Sequence, residues 1–346
     1  MSKLSFRCEG DQDLQEELLQ ADEVRKVRKE LEENPSRGTR RQLLATSLRL
    51  THSMSPKLHE MLNKCAKTLE LEIPTEIYVY NSSEFNAACI KPENGTLLLM
   101  FSSAILEKFS EKELRFVMGH ELGHHLFAHH DIPIGYLIRG ENPVDARLAL
   151  QLFAWSRYAE ISADRAGALC AIDADAAAGA LFKLASGLTS DLIEIHIDEF
   201  ASQVDEMKMK DVPGDDDAHE EDWFLTHPFT PLRVRALQLF FQSEVLVKGG
   251  TSREQLAADT HDLLQLMAPT YLQENSEVAE MMRRVLFAAG CVLIEVAGTI
   301  NEKEIAAFDS LFGDGTFGDH LDTDKLEEQA RVNYQSLNHC CPVKNK

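Results

Sequence analysis

The run His120-Glu121-Leu122-Gly123-His124 holds the side chains best suited to chemistry. On a helix, positions i and i+4 share a face, so both imidazoles reach one metal ion at about 2.0–2.1 Å. Glu121 projects beside them and can take a proton from a metal-bound water. A catalytic zinc needs a third protein ligand and keeps a fourth position for water. Two residues compete for that place. His130 stands where the spacing HExxHxxGxxH puts a third histidine, but that pattern needs glycine at 127 for a sharp turn, and the chain has Phe127. His130, like His125 and His129, therefore reads as part of the helix end, where a polar or cationic side chain suits the C-terminal turn. Glu160, in Glu160-Ile-Ser-Ala-Asp164, is the better candidate. These two acids share a face of a later helix, so Glu160 completes the site while Asp164 accepts a hydrogen bond from a ligand imidazole. The flanking Ala159, Ile161, Ala163 and Ala166 favour burial of that face over plain solvation.

The elements that must position these groups follow from pattern. Ser110-Glu-Lys-Glu113 is a capping box and opens a helix running to about His130. Leu114, Met118, Leu122 and Leu126 form one row on it, with Phe116 and Phe127 pointing the other way. A helix apolar on nearly every side is buried, and burying two histidines and a glutamate is costly unless they are paired or metal-bound. A further long helix is expected from Asn142-Pro143 to about Ala171, with Ala163, Ala166, Gly167 and Ala168 admitting a close neighbour. Upstream, residues 11–34 read as one charged amphipathic helix, and Ser55-Pro56 starts another that runs to about Leu69. Glu76–Tyr80 and Thr96–Phe101 read as strands. Asn94-Gly95 is a hairpin turn that pairs the second with Ala87–Lys91. Residues 211–222 form an acidic loop, Thr230-Pro231 starts a helix, and the chain from about Ser252 is helical without a metal or nucleotide motif. The fold class is α+β, mainly α. A small antiparallel hairpin sheet and a metal-site helix form the core, followed by a C-terminal helical bundle. The parts are 1–45, 46–248 and 252–346.

Composition narrows the partners. With 35 basic and 57 acidic side chains the net charge is −22, which disfavours nucleic acid and anionic membrane surfaces alike. The most apolar stretch, Val285 to Ile300, is interrupted by Glu295 and too short to span a bilayer, so no membrane span is expected. Seven scattered cysteines without a CxxC pair suit reduced thiols, and a cytoplasmic location is expected.

HExxH followed by ExxxD on a later helix resembles the HtpX-like and CAAX-prenyl-protease-type zinc metallopeptidases, which are gluzincins. The likeness covers about residues 45–245, including the hairpin with Asn86-Ala87 and Thr226-His227-Pro228 with Arg233 downstream. It implies a zincin-type core with one catalytic Zn2+ and hydrolysis of peptide bonds in a peptide or protein substrate. It further implies that His227 stabilises an oxyanion, that Arg233 pairs with Asp164, and that the strand at Asn86, Ala87 and Ala88 binds extended substrate. Many members carry transmembrane helices and this chain shows none, so membrane-bound or prenylated substrates do not follow from the likeness. The region from about 265 to 320 resembles, more weakly, a TerB-type helical module, which implies an accessory domain that docks a protein partner. The rival reading is a binding protein: a latent or inactive site, with the C-terminal module carrying the function. Glu121, which a purely structural zinc would not need, favours the enzyme.

Overall fold

The computed structural model describes residues 6–33, 38–139, 144, 146–189, 194, 196–207 and 225–267. All of them belong to one compact unit. The acidic loop 211–222 and most of the TerB-like region lie outside the described residues.

The chain opens with α1 (Glu9–Leu18) and α2 (Asp22–Glu33), then α3 (Thr39–Thr46) and the short strand β1 (Leu48–Leu50). The single helix expected over 11–34 is thus two. Leu19, Gln20 and Ala21 carry the break, with Gln20 N–H and Ala21 N–H closing tight turns onto Glu17 and Leu18 carbonyls. Neither Gly nor Pro marks it. The turn lets α1 bury Asp11 and Gln15 while α2 swings Val24 into a cluster with Ile132, Leu137 and Trp155.

Helix α4 (Pro56–Thr68) starts on its proline, as expected. Strands β2 (Thr75–Tyr80), β3 (Ala87–Glu93) and β4 (Thr96–Ser102) complete a four-stranded sheet of order β1-β2-β4-β3. The hairpin β3–β4 is antiparallel, and Asn94 and Gly95 both take positive φ (52° and 76°), the geometry of a two-residue hairpin turn. Sequence pattern did not show that β2 runs parallel to β4, which places β3 at the edge. Leu97, Leu99 and Phe101 alternate onto the face packed by Leu58 and Leu62 of α4, whereas Leu98 faces Leu43 of α3.

After α5 (Ser103–Lys108) comes α6 (Glu111–Leu126), whose capping box is complete: Ser110 Oγ accepts from Glu113 N–H, and Ser110 N–H donates to Glu113 Oε2. The helix ends earlier than the expected His130. Ala128 adopts the left-handed conformation (φ 56°), and a short 3-10 turn, His129–Asp131, follows. Helix α7 (Ile134–Arg139) leads toward α8 (Ala146–Ala171), α9 (Ala174–Ser186) and α10 (Ile197–Met207). The last described helices are α11 (Thr230–Gln242) and α12 (Arg253–Gln265). Helix α12 docks on α8, where Arg165 donates to Thr260 Oγ1 at 3.1 Å and Tyr158 meets His261 at 2.6 Å.

Helices α6 and α8 touch along small residues. A Cβ on Gly167 would lie 2.6 Å from the Phe116 carbonyl oxygen, and one on Gly119 would lie 2.7 Å from Cys170 Sγ. Backbone oxygen cannot rotate away as a side chain can. Gly167→Ala is therefore expected to lower stability, because overpacking strain of about 1–3 kcal/mol outweighs a helix-propensity gain of at most ~1 kcal/mol. Urea unfolding measures it. A variant as stable as wild type would show that the helices part without cost.

Candidate metal centre

Helix α6 presents His120 and His124 toward α8, which answers with Glu160 and Asp164 one turn apart. His120 and Glu121 are each 9% exposed, Glu160 is 7% and Asp164 1%. His120 Nε2 and His124 Nε2 lie 3.1 Å apart, and Glu160 oxygens lie 3.4 Å from His124 Nε2 and 3.6 Å from His120 Nε2. Ligand atoms around a tetrahedral zinc with bonds of about 2.0–2.1 Å are roughly 3.4 Å apart. The three side chains match that spacing, and among the described residues they are the group of acids, histidines and cysteines able to hold a metal ion. Glu160 Oε2 is buried and accepts no hydrogen bond among the described residues, although Arg233 Nη2 stands 3.3 Å from it. A buried carboxylate oxygen left without a partner is costly unless a cation meets it. The donor set fits a zinc ion.

Each imidazole is held from behind. His120 Nδ1–H donates to Asp164 Oδ1 at 2.9 Å, and Asp164 is clamped by the Arg233 fork of α11, Nε to Oδ2 at 2.8 Å and Nη2 to Oδ1 at 2.7 Å. Burial alone would raise the carboxyl pKa of both acids. Arg233, and then the histidines, reverse this: Asp164 sits below its ordinary value and Glu160 far below it. The two carboxylates hold the Arg233 guanidinium charged in return, against its own burial.

His124 is held by His129, whose Nδ1 lies 2.8 Å from His124 Nδ1 and whose Nε2 lies 3.1 Å from Asp11 Oδ2 on α1. The sequence reading missed both His129 and Asp11. The spacing of His129 beyond HExxH was visible, but nothing local in α1 separates a fully buried Asp11 from its solvated neighbours. The rejected His130 lies elsewhere: its Nε2 is buried without a partner among the described residues, and burial with His124 nearby pulls its pKa down to about 4.

Of the other expected residues, His227 borders the cleft, Ala87 and Ala88 open the edge strand β3, and Asn86 immediately precedes it. His227 is largely exposed (64%), with Nδ1 2.8 Å from Thr226 Oγ1 and Nε2 3.5 Å from Glu160 Oε1. Asn86 is fastened to Ser102 through both backbone groups, and Ala87 and Ala88 pair with Phe101 and Met100. The far edge of β3 carries no strand among the described residues. Glu121 lies close enough to β3 to act on Cys89, whose thiol pKa is pushed up by burial and then by the Glu121 carboxylate. A cavity of about 1170 Å³ runs from His124 and Glu160 past Lys91 of β3 to Arg28 of α2 and Tyr136 of α7.

The sequence profile of Peptidase family M48 matches residues 52–139 and 141–239. The chain belongs to this peptidase family. It is 29% identical over 170 residues to the plastoglobule-localized metallopeptidase 48, chloroplastic, of Arabidopsis thaliana, a match covering 46% of this chain and 49% of that protein. The chain thus spans about half the length of that relative. It is also similar to Protease HtpX homologs. With that of Methylibium petroleiphilum it shares 29% identity over 231 residues (56% of this chain, 77% of the relative), and with that of Burkholderia thailandensis 28% over 222 residues (53% and 73%). No solved structure matches. Among the described residues no helix is long and apolar enough to cross a membrane.

Removing one partner of a buried ion pair leaves the other uncompensated. Arg233→Met is expected to cost about 3–5 kcal/mol of stability, with Arg233→Lys recovering only part because a lysine lacks the two-pronged fork. Chemical denaturation of the three proteins at neutral pH measures this. A stable Arg233→Met would mean that Asp164 and Glu160 do not rely on the guanidinium.

Proposed function

We propose that the chain is a zinc-dependent metalloendopeptidase in which His120, His124 and Glu160 hold the metal and Glu121 is the general base. The observation that carries this reading is the tetrahedral-edge spacing of His120, His124 and Glu160 beside Glu121, a glutamate near Cys89 of the edge strand β3. A zinc ion held there would supply Lewis acidity, bringing the pKa of water to about 7 and polarising a peptide carbonyl.

The chain's own groups supply the rest. Glu121 follows His120 on α6, takes a proton from the attacking water and passes it to the leaving amine. His227, exposed above Glu160, donates to the oxyanion as it develops. Asp164 fixes the His120 ring, and Arg233 fixes Asp164. Extended substrate backbone pairs with the open edge of β3 at Asn86, Ala87 and Ala88, a mode that gives affinity through main-chain bonds and only modest side-chain selectivity. The free, buried thiols of Cys8, Cys65, Cys89 and Cys170 support placing the protein in a reducing cytoplasm.

The test compares zinc content and casein or peptide-library cleavage for wild type and Glu121→Gln. Equimolar zinc in both, with cleavage reduced about 10²–10⁴-fold in the variant, is the expected result. Zinc in both with cleavage in neither would move the reading to a protein-binding module, and no zinc in either would end it.

A further inference from the structure

The N-terminal helix lies outside the residues matched by the family profile, yet its Asp11 meets His129, the ring that stands behind the candidate ligand His124. Asp11 is fully buried on a helix whose other acids are solvated, and it accepts four hydrogen bonds. Arg7 supplies two (Nε to Oδ2 at 2.8 Å, Nη2 to Oδ1 at 3.0 Å), Trp155 Nε1–H one at 3.1 Å, and His129 Nε2–H one at 3.1 Å. On the same helix Gln15 donates to the carbonyls of Phe127 and Ala128, each at 3.1 Å. That bond pair grips the left-handed turn from which His129 projects.

We propose that Asp11, acting through His129, is a positioning residue for the metal centre and fixes the tautomer and ring orientation of His124. The inference rests on the zinc reading given above. A carboxylate can only accept, so His129 Nε2 carries the proton. A neutral imidazole has one N–H, so His129 Nδ1 is an acceptor and the contact at 2.8 Å requires His124 Nδ1–H to donate. The lone pair of His124 is then on Nε2, the atom that faces His120 Nε2 and Glu160. The reverse arrangement needs a second proton on His129, a cation in a buried site that already holds the Arg7 guanidinium. The two imidazoles are thus served alike. An Asp–Arg pair backs His120 directly, and a second Asp–Arg pair backs His124 through one intervening ring.

The experiment uses the full chain as wild type, Asp11→Asn, His129→Leu, His129→Gln and the double variant Asp11→Asn/His129→Leu. Zinc affinity is read by chelator competition, and thermal unfolding is recorded with and without zinc. Asp11→Asn and His129→Leu are each expected to weaken zinc binding about 10–100-fold. Asparagine fails because its amide nitrogen must face either His129 or the donors of Arg7 and Trp155. His129→Gln is expected to recover most of the affinity, since its amide donates to Asp11 while accepting from His124. In the His129→Leu background, Asp11→Asn should add nothing, the signature of one residue acting through the other. Zinc affinity within about twofold of wild type in Asp11→Asn, with Tm lowered equally with and without zinc, would reduce Asp11 to an anchor of α1 and overturn the proposal. Additive losses in the double variant would also overturn it. If Asp11→Asn does not fold, equal affinities for His129→Gln and His129→Leu would overturn it, and recovery by glutamine alone would support it. A folded wild type that binds no zinc would overturn the metal reading and this inference together.

Discussion

The contact between α6 and α8 governs the molecule. Gly119 and Gly123 on one helix meet Gly167, Ala163 and Ala166 on the other, so backbone stands against backbone. At that separation short side chains span the gap. His120 reaches Asp164 within one hydrogen bond, and Glu160 comes within ligand spacing of both imidazoles. A wider gap filled by leucines would leave the same residues too far apart to share an ion. Close approach also excludes water, which makes every charge there expensive. Hence the arginines: Arg233 from α11 and Arg7 ahead of α1 each clamp one aspartate with two bonds.

What the sequence made legible was local. The capping box at Ser110, the proline opening α4, the Asn94-Gly95 turn and the i, i+4 pairs His120/His124 and Glu160/Asp164 depend on neighbours in the chain, and each has a signature within a few residues. The rest is tertiary in origin. Asp11 and His129 are 118 residues apart, and a buried acid on a charged helix looks like a solvated one until its donors are in place. The turn at Ala128 was equally hidden. Alanine does not favour positive φ, and Gln15 of a distant helix holds its carbonyl. The parallel register of β2 against β4 needs a strand inserted beyond its sequence neighbour, which no two-residue pattern announces.

Strand β3 shows how an open edge is kept safe. An open strand invites pairing with any extended chain, another copy of itself included. Here the far half is spoiled for that purpose: Lys91 brings a charge, Pro92 lacks an N–H, and the register shifts between Ile90 and Glu93. The half at Ala87–Cys89, which runs beside Glu121, stays regular. Regular pairing is thereby confined to the stretch beside Glu121.

Because the groups that converge on the two imidazoles come from α1, α6, α8 and α11, the centre has a birth order. A chain leaving the ribosome presents Asp11 first and HExxH more than a hundred residues later, and the arginine that neutralises Glu160 and Asp164 arrives only at position 233. Domains fold as units during synthesis, so a nascent chain shorter than that lacks the counter-charge for these two acids and cannot close the site. Assembly of this cluster is deferred until α11 has been made. In the proposed peptidase, that order spares the chain a reactive centre during the interval when its own backbone is still extended and most easily cut.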